Sequence, residues 1–143
     1  EFVKYSVNSV FEMKRAGLSL MLHMMPTKVG AYHVLGSNVI AINSILLDQV
    51  KKYSSSDDEY NSYVFTVLLH EYLHTFGILD ENKVRQMSVE LCEKFFGKEG
   101  MVTAIAEDPL KIFPQLGSVR YDKFESRYEL IKNFDNSNQT YIQ

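Results

Sequence analysis

Between Leu68 and Glu81 the chain reads LLHEYLHTFGILDE, an apolar run that carries His70, Glu71 and His74 and ends in Gly77, Asp80 and Glu81. From Tyr60 to Phe76 no other charged side chain occurs. A helix this apolar packs on more than one face, and a polar group taken out of water there must find a partner. The three groups are therefore either satisfied by ordinary hydrogen bonds or share a single cation. Their spacing favours the cation. Residues four apart on a helix lie one turn apart along it and about 40° apart around it. Both imidazoles can then hold one Zn²⁺, while Glu71 projects at a neighbouring angle. From there it can take a proton from metal-activated water without being a ligand. Glu71 is accordingly the expected catalytic residue.

A catalytic zinc takes three protein ligands and keeps one position open. The expected third ligand is Asp80. Gly77 can adopt a positive φ and swing the chain back toward the metal, and Asp80 follows three residues later. Two alternatives stand beside it. Asp80 can instead cap the following helix, and Glu90 can face the site if that helix runs back antiparallel to the first. Glu81 reads as an acid favouring a helix N-terminus.

The elements that must position these groups are legible from periodicity. Residues 1–16 place Phe2, Val3, Val7, Val10 and Phe11 at helical spacing, ending before Gly17. Residues 18–25, LSLMLHMM, read as a strand closed by Pro26, and residues 31–35 and 39–43 as two more, paired in a hairpin. Ser44 can cap a short helix, ILLDQVKKY. The polar run SSSDDE then marks a helix start, with Asp57 or Asp58 as cap, and Gly77 marks the end of that helix. A further helix is expected over residues 81–96, stopped by Gly97, and another over residues 121–134. The polar tail DNSNQTYIQ is expected to fray. Helix, strands, then helices predict an α+β fold, with a small mixed sheet and flanking helices around the central motif helix.

The elongated motif, residues 70–80, resembles that of the zincin metallopeptidases, in particular the metzincin form HExxHxxGxxD and small archaeal-type zincins. The resemblance implies zinc bound by His70, His74 and Asp80, with Glu71 as general base. It implies hydrolysis of a peptide or protein, and a zincin-like fold whose edge strand holds extended substrate by main-chain hydrogen bonds. VIAIN, residues 39–43, is the candidate for that strand and reads equally well as an interior strand of the sheet. His33, His23 and Tyr32 are candidates to stabilise an oxyanion. The frame also resembles HGxLHLxGxxH of bacterial RNA-maturation endonucleases, with Glu71 and Asp80 where those have Gly and His. A zincin-shaped binding module with a structural or inactive metal is the non-enzymatic alternative.

Composition bounds these readings. At 143 residues and 45% hydrophobic content the chain can bury a core as one domain, residues 1–143, without staples. A formal charge of −3 with scattered basic residues argues against a nucleic-acid partner. The single cysteine, Cys92, excludes an internal disulfide and reads as a small buried apolar residue. No run is long enough to span a bilayer, and Glu1, Lys4, Glu12, Lys14 and Arg15 interrupt any leader-like segment. A cytoplasmic chain with no membrane partner is expected.

Overall fold

A computed structural model describes residues 1–118 and 128–131. Among them are five α-helices and one four-stranded mixed sheet, an α+β arrangement. The helices are α1 (Phe2–Phe11), α2 (Ser44–Tyr53), α3 (Asp57–His74), α4 (Glu81–Phe96) and α5 (Met101–Glu107), followed by 3-10 turns at Pro109–Lys111 and Pro114–Ser118. The strands are β1 (Ser19–His23), β2 (Ala31–His33), β3 (Val39–Asn43) and β4 (Tyr128–Ile131), in spatial order β2-β3-β1-β4. β1 runs parallel to β3, whereas β2 and β4 are antiparallel to their neighbours.

The expected hairpin of the second and third strands is present. VIAIN, however, is interior, flanked by β2 and β1. It is buried from Ile40 to Asn43, which suits its run of β-branched residues. The outer strands are β2 on one side and β4 on the other. Strand β4 lies inside the 121–134 segment read as helical, because residues 128–131 add to the edge of β1. The rest of that segment and the tail at 135–143 lie outside the described residues.

Helix ends differ in instructive ways. α1 stops at Glu12, whose φ of 55° is left-handed, and this frees Arg15 to act elsewhere. Arg15 exchanges two hydrogen bonds with Tyr72: its N–H donates to the hydroxyl at 2.9 Å, and the hydroxyl donates to its carbonyl at 3.2 Å. Its guanidinium donates to the carbonyl of Thr75 at the end of α3. It also donates to Ser37 O and Asn38 Oδ1, both at 3.0 Å, in the β2–β3 turn. One side chain thus ties the motif helix to the hairpin. α2 is capped by Asn43 and not Ser44, and α3 by Ser56 ahead of Asp57 and Asp58. In both cases the residue just outside the first helical turn keeps extended backbone and offers its oxygen inward.

The core that fixes α3 combines Val7, Leu18, Ile40, Ile42, Leu69, Leu73, Val84, Leu91 and Cys92. Leu69 and Leu73, four apart, face sheet and helices, which leaves His70 and His74 on the adjoining stripe. Cys92 is fully buried. A second cluster, Val50, Tyr63, Ile105 and Phe113, packs α5 and the following turns against the N-terminal half of α3. No described helix is long and apolar enough to cross a membrane.

Candidate metal centre

The last turns of α3 carry His70, Glu71 and His74. After α3 the chain turns over Thr75–Gly77, with Gly77 at φ 82°, and enters α4. Nothing lies within 4 Å of where a Cβ on Gly77 would stand, so the backbone conformation and not crowding is what favours glycine there. The reversal brings the first turn of α4 back over the two imidazoles.

The acid that reaches them is Glu81. Its carboxylate lies 2.9 Å from His70 Nε2 and 3.0 Å from His74 Nε2, and the two Nε2 atoms are 3.1 Å apart. His70, His74 and Glu81 form the cluster able to hold a metal ion among the described residues. Asp80, the expected third ligand, is not in it. Its Oδ1 accepts from the backbone N–H groups of Asn82 at 2.9 Å and Lys83 at 3.2 Å, which makes it the N-cap of α4. Cap geometry turns its side chain along the helix start, and the next residue projects to the histidines. Glu90 stands more than two turns further along α4, paired with Lys94 at 3.0 Å. Sequence reasoning took Glu81 only as an acid at the helix start; the adjacent pair Asp80-Glu81, one acid to cap and one to reach back, is the signal that would have found it.

The donors fit a tetrahedral cation. Glu81 Oε2 faces His70 Nε2 and Oε1 faces His74 Nε2, and one ligand atom from each of the three residues lies within 4.8 Å of the others, a grouping that a tetrahedral site can draw together. His74 Nδ1 donates to the carbonyl of Ile78 at 2.7 Å, because a carbonyl can only accept. In a neutral ring this leaves the Nε2 lone pair facing the Glu81 carboxylate and the other imidazole. The carboxylate is an acceptor as well, so acceptor meets acceptor at 3.0 Å, a contact that a shared cation or proton would relieve, whereas His70 Nε2 donates or accepts according to its tautomer. The His70 side chain is 27% and the Glu81 side chain 67% exposed, so the cluster is open to solvent.

Glu71 is only 6% exposed and lies between two clefts that share it. Burial pushes its carboxyl up to about 7, with His74 drawing it down and Glu81 pushing it further up. Burial also lowers the pKa of His70, partly offset by its bond to Glu81, with His74 and Arg85 adding to the depression. The larger cleft, about 750 Å³, extends from His70 along α3 past Thr66 and Tyr63. The smaller, about 250 Å³, is lined by His74 with Tyr32 and His33. Ala31 of β2 borders both. His23 stands back from them, its Nδ1 3.4 Å from the Tyr32 hydroxyl.

β2 gives this groove a main-chain wall. Asn43 N–H donates to Gly30 O at 2.9 Å, and the register continues as Ala31 opposite Ile42 and Tyr32 opposite Ala41. Antiparallel ladders alternate between bonded and non-bonded pairs. Tyr32 therefore bonds to β3, and Ala31 and His33 turn their N–H and C=O groups to the open edge. Comparison with protein-family models, with curated proteins and with solved structures finds no match.

Proposed function

We propose that the chain is a zinc-dependent peptidase of the zincin kind, with His70, His74 and Glu81 as metal ligands and Glu71 as general base. One observation carries the reading: a three-ligand centre with a buried carboxylate beside it opens into a groove walled by the free edge of a β-strand. A bound zinc ion supplies Lewis acidity and a water acidified toward neutrality. The remaining work falls to the chain's own groups. Glu71 takes the proton of the attacking water and passes it to the leaving amine. Ala31 and His33 hold an extended peptide by main-chain hydrogen bonds, as a strand added to a sheet. The Ile78 carbonyl keeps His74 in the tautomer whose Nε2 is free to ligate.

This is the arrangement that the motif's likeness to zincins implies, with β2 as the substrate strand and Glu81 in place of Asp80. Zincin-like describes the fold in that sense. The substrate class is peptide or protein. The test is zinc content and peptide hydrolysis in wild type and in Glu71→Gln. Close to one zinc per chain in both, with hydrolysis in wild type alone, is expected. Zinc in both with hydrolysis in neither would make the metal structural and the chain a binding module. Unchanged hydrolysis in Glu71→Gln would remove the general-base role.

A further inference from the structure

The larger cleft has a charge pattern that the hydrolytic reading does not use. Three of its four acids are engaged: Glu81 with the imidazoles, Glu107 with Lys111, and Asp108 Oδ1 with the N–H of Leu110 at 2.9 Å; the fourth, Glu71, is buried at the cleft's inner wall. Its cations, Lys28 and Arg85, are exposed and have no partner among the described residues. Arg85 is four residues beyond Glu81 and three before Ser88, and all three line the cleft, so they share one face of α4. Lys28 comes from a different element, the β1–β2 connection.

Strand direction says which end of a substrate meets them. A peptide added antiparallel to β2, the more stable pairing, runs from the His33 side toward Ala31 and Gly30. Its C-terminal part therefore enters the larger cleft. From His70 to Tyr63 the cleft follows α3 for about 10 Å, room for roughly three extended residues. Arg85 lines the same cleft one helical turn along α4 from Glu81.

The geometry points to a carboxylate-recognising subsite: Arg85, with Lys28, binds a substrate carboxylate located within a few residues downstream of the scissile bond. The inference rests on the peptidase reading for the placement of that bond. The carboxylate can be the peptide's own C-terminus, which makes the enzyme one that releases short C-terminal fragments, or an acidic side chain at the same depth. Arginine suits either, since its planar fork matches a carboxylate with paired hydrogen bonds.

The test uses three synthetic peptides of one length: a free acid, its C-terminal amide, and an amide with glutamate near the C-terminus. Binding to the zinc-loaded Glu71→Gln chain is measured by calorimetry, alone and combined with Arg85→Ala, and wild-type cleavage is measured in parallel. The free acid should bind at least about tenfold more tightly than the plain amide, and Arg85→Ala should bring that ratio near one. An advantage carried instead by the glutamate amide keeps the subsite and assigns it to an acidic side chain. Equal binding of all three overturns the inference, as does an advantage that survives Arg85→Ala. If the preference holds but wild type cleaves none of them, the subsite stands and the peptidase reading falls.

Discussion

His74 and Ile78, four residues apart across the end of α3, are joined by a 2.7 Å hydrogen bond from imidazole Nδ1 to a backbone carbonyl. The bond fixes the orientation of the ring and directs Nε2 at Glu81. It exists because α3 ends at His74 and the chain reverses over Gly77, so the turn that supplies the carbonyl also brings Glu81 to the two imidazoles. Ring orientation and ligand delivery thus depend on one short loop.

From that geometry, Glu81→Ala and Asp80→Ala should fail in different ways. Removing Glu81 deletes a donor within 3.0 Å of both imidazoles. Zinc affinity should fall by more than the ~10–100-fold typical of outer-shell partners, with little loss of metal-free stability. Removing Asp80 deletes the cap on the N–H groups of Asn82 and Lys83. It should cost about 1 kcal/mol of stability and lower zinc affinity less. Zinc titration and urea unfolding of the chelated proteins separate the two. A larger zinc loss in Asp80→Ala would return the site to the elongated motif as first read.

How much of this was written in the sequence depends on the range of each interaction. His70, Glu71 and His74 were legible because helical spacing is local and their apolar surroundings left few partners. α4 and the β2–β3 hairpin were legible for the same reason. The third ligand was not, because choosing between Asp80 and Glu81 requires the helix start to the residue, and boundaries are uncertain by one or two positions. Whether VIAIN is an edge or an interior strand was open in the sequence, because strand order depends on how β1 inserts beside β3, which no local pattern encodes. Residues 128–131 were read as helix for a like reason: their strand exists only through pairing with β1. Arg15, in a stretch read as helix, gave no sign of reaching Ser37, Asn38 and Thr75.

Asn43 is a second residue whose role only the fold reveals. It is fully buried, and its Nδ2 donates to the carbonyls of Met25 at 3.1 Å, Pro26 at 3.3 Å and Val29 at 2.8 Å. Its Oδ1 accepts from Ile45 N–H at 3.0 Å, capping α2. One amide therefore shapes the loop that presents Lys28 to the cleft. Asn43→Ala should destabilise by about 3 kcal/mol, since it leaves buried backbone groups without partners. Asn43→Asp should cost at least as much, because it keeps the cap but sets a carboxylate against the three carbonyls. Urea unfolding of both variants tests this, and a loss below about 1 kcal/mol in Asn43→Ala would show that the loop is held by other contacts.

Arg15 links the motif helix to the turn of the β2–β3 hairpin. Its cation also sits at the C-terminal end of α3, where the helix dipole favours it. Arg15→Ala should lose about 2 kcal/mol of stability, given its half-buried position and several charge-assisted bonds. Arg15→Lys should restore only part, because an ammonium is a point donor and cannot span Thr75 and Ser37 together. Under the peptidase reading both variants should keep zinc but show a raised KM for peptide, since the metal ligands lie on α3 and α4 while the β2 edge has been loosened. Loss of zinc alongside the rise in KM would mean that Arg15 supports the centre itself and not the strand.

Alkaline pH should expose the cost of burying two weak acids. Burial pushes the Cys92 thiol up to about 12 from an ordinary 9.0, and the Tyr63 phenol up to about 12 from 10.0. Both groups are nearly inaccessible in the core. Because the native pKa is the higher one, the unfolded chain releases these protons first. The stability they contribute is fully present below pH 9, and it is lost as pH rises from there toward 12. Each proton released only on unfolding steepens the decline by about 1.4 kcal/mol per pH unit. Between pH 9 and 10 the effect belongs mainly to Cys92, so urea unfolding across that interval should fall less steeply in Cys92→Ala than in wild type. The variant should start lower, by the methyl-sized void it leaves in the core, and the two curves should converge as pH rises. Parallel curves would mean that the native thiol ionises as readily as the unfolded one and that Cys92 is open to solvent.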